Sequence, residues 1–278
     1  MDNLKVDFHK LNYHPARIAE WFSAGDDWEK VKKIFPIYIE ISPSGVCNHR
    51  CIFCTLDFMG YQKKFLNANV LKDRILEMAK IGVKSIMFAG EGEPLLHKKM
   101  SEITVYTKNV GIDTAFTTNA TSLTEEFCER TLGAITWIKV SINAGKAKTY
   151  SEIHQAPEKH FSLVLKNIKN AVKIRNENKY PCTIGAQILL LPENLEEVET
   201  LANKIKDAGC DYFFIKPHCQ HPQSVTKRYE KLMYDSGDVD EIEEKLKKIE
   251  NQNFQVVVRR HAAIKLKEDL KPYSKCYS

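Results

Sequence analysis

Along this chain, short runs of β-branched and aromatic residues alternate with longer stretches in which apolar positions recur every three to four residues. The extended runs lie at 37–41, 84–89, 113–118, 137–142, 183–190 and 212–216, each bounded by turn residues, and they predict six β-strands. The periodic stretches lie at 70–79, 97–109, 124–132, 161–176 and 194–208 and predict helices. Gly82, Gly111, Gly133 and Gly209 stand where helix-terminating glycines belong, and Thr124-Glu125-Glu126 reads as an N-terminal cap. Pro15 sits at the start of a short helix over 16–22, within a helical lead-in spanning 1–35. Beyond residue 235 come a charged helix at 239–251 and a further strand at 254–260, read here as a C-terminal helix–strand extension over 236–278.

Strands separated by single helices imply right-handed βαβ units and a parallel sheet with helices outside. Six such units fit between residues 36 and 235, two short of a closed eight-stranded barrel. The expected fold is therefore α/β, an open, partial (β/α)6 barrel. A doubly wound flat sheet has the same spacing and is the alternative.

Composition narrows the function classes. The chain has 278 residues, 43% of them apolar, a normal globular share that argues against intrinsic disorder. Its longest uninterrupted apolar runs, such as 188–191, fall far short of the ~18 residues a membrane span needs. The first fourteen residues carry no apolar core of the secretory type, so a soluble, cytoplasmic protein is expected. The net charge is only +5, and basic residues mostly alternate with acidic ones, as over 241–248. That is a solvated helix face rather than a basic stripe, and no nucleic-acid partner is expected.

Eight cysteines in a chain expected in a reducing compartment are poorly explained by disulfides. Cys47, Cys51 and Cys54 fall within eight residues, directly after the first predicted strand. Three thiolates at that spacing converge on one object only if the backbone loops around it. Tetrahedral zinc takes four ligands, normally as two close pairs, and no second pair lies nearby; a structural zinc site would have to recruit His49. A [4Fe–4S] cluster accepts such short spacings, and three cysteines leave one iron open. The strand's C-terminal end is also where α/β barrels build active sites.

The spacing Cys47-x3-Cys51-x2-Cys54, with aromatic Phe53 before the last cysteine, resembles the signature of the radical S-adenosylmethionine (radical SAM) superfamily. The resemblance implies that the three cysteines bind a [4Fe–4S] cluster whose fourth iron is chelated by the amino and carboxylate groups of S-adenosylmethionine. An electron would then cleave that cofactor to methionine and a 5′-deoxyadenosyl radical, which abstracts a substrate hydrogen. The family fold is a partial (β/α)6 barrel, in agreement with the units counted above.

Further matches follow in order along the chain. Gly90-Glu91-Gly92-Glu93-Pro94 is similar to the family's Gly-Gly-Glu-Pro turn, with Glu91 in place of the first glycine of the pair. The resemblance implies that Gly92 and Glu93 meet the methionine amino group, a carboxylate beside an ammonium with glycine allowing close backbone approach. Asn119 resembles the Thr-Asn-Gly stretch. Ser141 and Asn143 resemble the Ser-x-Asp/Asn that bonds the cofactor's carboxylate and ribose, and Gln187 sits where the family lines the adenine and ribose site. The family also implies a reduced flavodoxin- or ferredoxin-type electron donor and a small-molecule, sugar- or nucleotide-like, or peptide substrate. The competing class is a non-enzymatic zinc or iron–sulfur protein, a binding module or electron carrier.

Other cysteines divide. Cys128, Cys182 and Cys210 are expected as packed thiols. Cys219, just past the sixth strand with Lys216, His218 and His221, is expected at the barrel mouth as a candidate hydrogen-atom donor to a product radical. Cys276 resembles the first cysteine of a SPASM or twitch extension, whose remainder would be missing or truncated. Arg259-Arg260-His261, at the end of the seventh strand, is a candidate contact for phosphate or carboxylate.

Overall fold

The computed structural model describes Leu4, residues 10–234 and residues 236–259. Cys276, Arg260 and His261 lie outside the described residues. In chain order the elements are α1 (Pro15–Ala24), α2 (Trp28–Val31), β1 (Tyr38–Ile41), α3 (Ala68–Lys80), β2 (Ser85–Phe88), α4 (Met100–Asn109), β3 (Asp113–Thr118), α5 (Glu125–Thr131), β4 (Ile135–Ser141), α6 (Ala147–His154), α7 (Lys159–Glu177), β5 (Thr183–Leu190), α8 (Val198–Asp207), β6 (Tyr212–Pro217), α9 (Ser236–Lys247) and β7 (Gln255–Val258).

All seven strands run parallel in sequence order, β1 to β7, and β1 does not pair with β7. This is the open, partial barrel expected, and the strict strand order excludes a doubly wound sheet, in which the order reverses. The strand after the sixth unit does not stand apart: β7 pairs with β6 through Tyr212↔Gln255 to Ile215↔Val258, so residues 236–259 continue the barrel wall. Helix α6 was absent from the predicted set.

Strand side chains alternate between two cores, as the two-residue period demands. Ile86, Phe88, Phe116, Ile138, Val140, Ile184, Ile188, Phe213 and Ile215 face the helices and join Ile75, Ile103, Ile168 and Leu201 in the main core. The opposite parity, Met87, Ala115, Trp137, Tyr212, Phe214 and Val257, lines the barrel interior. Tyr212 needs glycine opposite it: a Cβ on Gly185 would lie 2.5 Å from the ring, whose hydroxyl donates to the Ile138 carbonyl at 3.1 Å. A cavity of about 300 Å³ lined by Tyr13, His14, Tyr38 and Trp137 opens at the N-terminal strand ends, the face that α/β barrels use for stability rather than chemistry. Cys128, Cys182 and Cys210 are buried, as expected of packed thiols.

Candidate active site at the barrel mouth

The loop after β1 closes on itself before it reaches the cysteines. Ser44 bridges Phe65, the Gly45 N–H donates to the Lys64 carbonyl at 2.9 Å, and Leu66 N–H donates to Pro43 at 3.0 Å. Cys47, Cys51 and Cys54 are half-buried and unpaired within this loop. The loop is strapped to the C-terminal end of α6, because the N–H groups of Arg50 and Ile52 donate to the last carbonyls of that helix, on His154 (3.1 Å) and Ile153 (2.9 Å). Those carbonyls are the ones a helix leaves without intrahelical partners. The other end of α6 is held by buried Glu197, whose carboxylate accepts from Gly145 N (2.8 Å), Lys146 N (3.1 Å) and Thr149 Oγ1 (2.7 Å).

Each cysteine sulfur has a donor aimed at it. Cys47 Sγ accepts from the backbone N–H of His49 at 3.4 Å, Cys51 Sγ lies 3.2 Å from His154 Nδ1, and the Tyr61 hydroxyl is hydrogen-bonded to Cys54. Burial raises the Cys47 and Cys51 thiols above the ordinary range, and each is raised further by the neighbouring thiols. Cys47 and Cys51 are thus held as neutral thiols here, and a metal centre bound between the three sulfurs would displace their protons and take them as thiolates.

His49, Cys51 and His154 also place their ligand atoms within 4.8 Å of one another, a candidate zinc set different from the three cysteines with His49 considered from the sequence. The hydrogen bonding of His154 opposes that reading. Its Nε2 accepts from the backbone N–H of Asn143 at 3.2 Å, and a backbone N–H can only donate. Burial keeps this imidazole neutral, its pKa well below the usual value, so its single proton sits on Nδ1, facing Cys51. Neither nitrogen then offers a lone pair to a cation. The donor set fits a cluster held by three thiolates with hydrogen-bond donors at sulfur.

The turn after β2 supports the loop from beneath. Gly92 leaves no space for a cofactor atom at its missing side chain: a Cβ there would lie 2.0 Å from the Ser44 carbonyl and 2.6 Å from that of Val46. The close approach expected at this glycine is to the cysteine loop itself, and the Glu93 N–H donates to Val46 O at 2.7 Å. The Glu93 carboxylate is buried and accepts from Thr118 Oγ1 (2.6 Å), Leu95 N (3.0 Å) and Asn119 N (2.8 Å). Burial raises its pKa, opposed by those three donors. One of its four lone-pair directions remains, at Oε2, for a further donor such as an ammonium.

Asn119 donates to Asn48 Oδ1 at 2.8 Å and so ties the end of β3 to the residue after Cys47. Asn143 is fully buried; its Oδ1 accepts from Leu189 N at 2.7 Å and its amide nitrogen lies 3.2 Å from Ser141 Oγ. Gln187 pairs with Ser141 in register on the interior parity of β5, and Phe53 meets the His154 ring edge-on at 5.6 Å. Thus the fold brings Cys47, Cys51, Cys54, Phe53, Gly92, Glu93, Asn119, Ser141, Asn143 and Gln187 to the C-terminal strand ends.

The loop after β6 folds over this site. Asp57 accepts from Ser224 Oγ (2.9 Å), Val225 N and Thr226 N (2.8 Å each), and His221 stacks on Phe58 at 5.2 Å. His218, grouped by sequence with the mouth residues, is buried edge-on against Tyr229 instead. Cys219 is exposed. Three cations occupy the interior parity near the mouth: Lys139 lies 5.2 Å from the Trp137 ring and 5.7 Å from that of Phe214, Arg259 lies 5.3 Å from Phe214, and Lys216 lies close enough to Arg259, Cys219 and Glu40 to feel their charge. Lys139 carries no sequence signal beyond its place in a strand.

Comparison with known proteins agrees with this geometry. The Radical SAM superfamily profile matches residues 41–205. An S-adenosylmethionine-dependent nucleotide dehydratase from Lacinutrix mariniflava is 34% identical over 103 residues, 35% of this chain and 21% of that protein. A GTP 3′,8-cyclase from Vibrio atlanticus is 27% identical over 189 residues, 64% of this chain and 53% of that protein. The chain thus spans about half or less of the length of these relatives. Among solved structures, Streptococcus suis SuiB bound to the precursor peptide SuiA superposes with a TM-score of 0.60 at 20% identity, over 82% of this chain and 52% of that one. SuiB bound to S-adenosylmethionine gives 0.61 at 17% identity, over 91% and 61%.

Proposed function

Because the chain belongs to the radical SAM superfamily, whose members use a [4Fe–4S] cluster and S-adenosylmethionine, we propose that it is a radical enzyme acting on an anionic, nucleotide-like small molecule held in the barrel interior. When bound, the cluster and S-adenosylmethionine supply the carbon radical that abstracts a substrate hydrogen; the electron would come from a reduced flavodoxin- or ferredoxin-type donor. Cys47, Cys51 and Cys54 would hold the cluster. The open acceptor site on Glu93 suits the cofactor's ammonium, and Ser141, Asn143 and Gln187 border the space beside it. Asn143 acts mainly by orienting what surrounds it, since its carbonyl oxygen is already committed to Leu189.

The substrate reading is carried by one observation: Lys139 on β4, Lys216 on β6 and Arg259 just past β7 share the interior parity, Lys139 and Arg259 both over the Phe214 ring and Lys216 within electrostatic reach of Arg259 and Glu40. Below them Trp137, Phe214 and Tyr212 form an aromatic floor. A flat base over aromatics with phosphates among the cations fits both. The nucleotide substrates in the names of two relatives point the same way.

Burial, and then the nearby Arg259, lowers the Lys216 pKa. A bound anion raises it again, so binding takes up protons and affinity must fall as pH rises, at lower pH than for an ordinary lysine. Lys216→Ala or Arg259→Ala should each weaken nucleoside triphosphate binding by about 1.5–3 kcal/mol, roughly 10- to 100-fold in Kd. Calorimetry with a nucleoside, its triphosphate and an acidic peptide decides the matter. Equal affinity for nucleoside and triphosphate, or preference for the peptide, would sink the reading.

We infer further that Cys219, exposed just past β6 and electrostatically linked to Lys216, returns a hydrogen atom to a product radical. On that reading Cys219→Ala stalls product formation while 5′-deoxyadenosine still accumulates. Normal product yield from this variant would remove the thiol from the mechanism.

A further inference from the structure

Helix α6 is only eight residues long, yet it is fixed at both ends. Glu197 caps its N-terminus through three donors, and its last two carbonyls are taken by the N–H groups of Arg50 and Ile52, the residues on either side of Cys51. This double strap sets the register between helix and cysteine loop, and it leaves the His154 ring against Cys51 with Nδ1 at 3.2 Å from the sulfur. Behind the ring, Asn143 N–H donates to Nε2, and the Asn143 amide lies 3.4 Å from the same nitrogen. Tyr150 stacks on the ring at 4.2 Å and Phe53 meets it edge-on at 5.6 Å, so it cannot rotate away.

We propose that His154 is a positioning residue for the [4Fe–4S] cluster: its Nδ1–H donates to the Cys51 sulfur and raises the cluster's reduction potential. The inference rests on the cluster reading given above. Reduction adds one electron, delivered by the external low-potential donor, and the added charge spreads onto the ligating sulfurs. A donor at sulfur stabilises the more negative, reduced form over the oxidised one. The backbone N–H behind the ring is what makes this donor permanent, because it forbids the tautomer that would turn a lone pair toward Cys51.

Three variants separate the donor from the ring. Asparagine places its amide nitrogen near the Nδ1 position, glutamine places its amide near Nε2, and leucine offers neither. Iron content and spectroscopically monitored redox titration of the reconstituted protein, without S-adenosylmethionine, give the readout. His154→Leu and His154→Gln should retain iron but fall in reduced-to-oxidised ratio by roughly tenfold at fixed potential, about 59 mV for a one-electron couple. His154→Asn should stay close to the wild-type potential. An unchanged potential in His154→Leu, or an equal fall in His154→Asn, would overturn the proposal. So would loss of iron from all three variants, which would make the residue a structural support only. Wild-type protein that takes up no iron at all would instead refute the cluster reading itself.

Discussion

Alanine at Cys47, Cys51 or Cys54, one at a time, is expected to leave a folded protein that no longer holds a cluster. Two thiolates cannot retain the roughly four irons of such a centre, whereas the three cysteines lie in a loop outside the main hydrophobic core. Iron and sulfide per chain after anaerobic reconstitution should drop to near background, while far-ultraviolet circular dichroism stays native. The three variants should not be equally stable. Cys51→Ala strands the Nδ1–H of His154 in a buried site, at a cost of about 1–3 kcal/mol, so this variant should melt lowest. Alanine at buried Cys210, by contrast, should leave iron uptake intact. If any one of the three loop variants keeps full iron and still cleaves S-adenosylmethionine, the assignment of that cysteine is wrong.

Much of this architecture was legible in the chain because strand and helix periods are strongly written. The runs at 113–118 and 183–190 coincide with β3 and β5, and Gly82, Gly111 and Gly209 end their helices at φ of +91°, +87° and +82°. Helix α6 was not legible. Its eight residues bury Tyr150, Ile153 and His154 at helical spacing over barely two turns, too short a stretch to stand out in the chain, and it is held by tertiary bonds to Glu197 and the cysteine loop. Missing it hid His154, the side chain that touches Cys51. Of the interior cations, Lys216 and Arg259 stand out in the chain, but Lys139 escaped for a related reason. Lys139 stands singly in β4, and only the curvature of the open sheet brings it to the Phe214 ring that Arg259 also meets. Cysteines at fixed spacing announce themselves within eight residues, whereas a site assembled from one residue per strand has no local signature.

Gly92 shows how a motif can be recognised and its physics misplaced. Taken from sequence, its missing side chain makes room for the methionine end of the cofactor, so Gly92→Val would spare iron and block S-adenosylmethionine. In the structure that room is filled by the carbonyls of Ser44 and Val46, at 2.0 and 2.6 Å from where a Cβ would stand. Both are backbone atoms, which cannot swing aside as a flexible side chain would. Even Gly92→Ala must therefore push the cysteine loop off the turn, breaking the Glu93 N–H bond to Val46 and displacing Cys47, the next residue along. The expected result is loss of cluster uptake with all three cysteines present, accompanied by destabilisation of about 1–3 kcal/mol or more. Iron analysis and thermal melting of Gly92→Ala beside Glu93→Gln check it. The glutamine keeps the size of the buried side chain and its carbonyl acceptor, so it should retain iron while weakening S-adenosylmethionine binding, because the carboxylate charge is gone. Full iron content and an unshifted melting temperature in Gly92→Ala would show that the loop yields more readily than its backbone contacts allow, and the glycine would return to the cofactor.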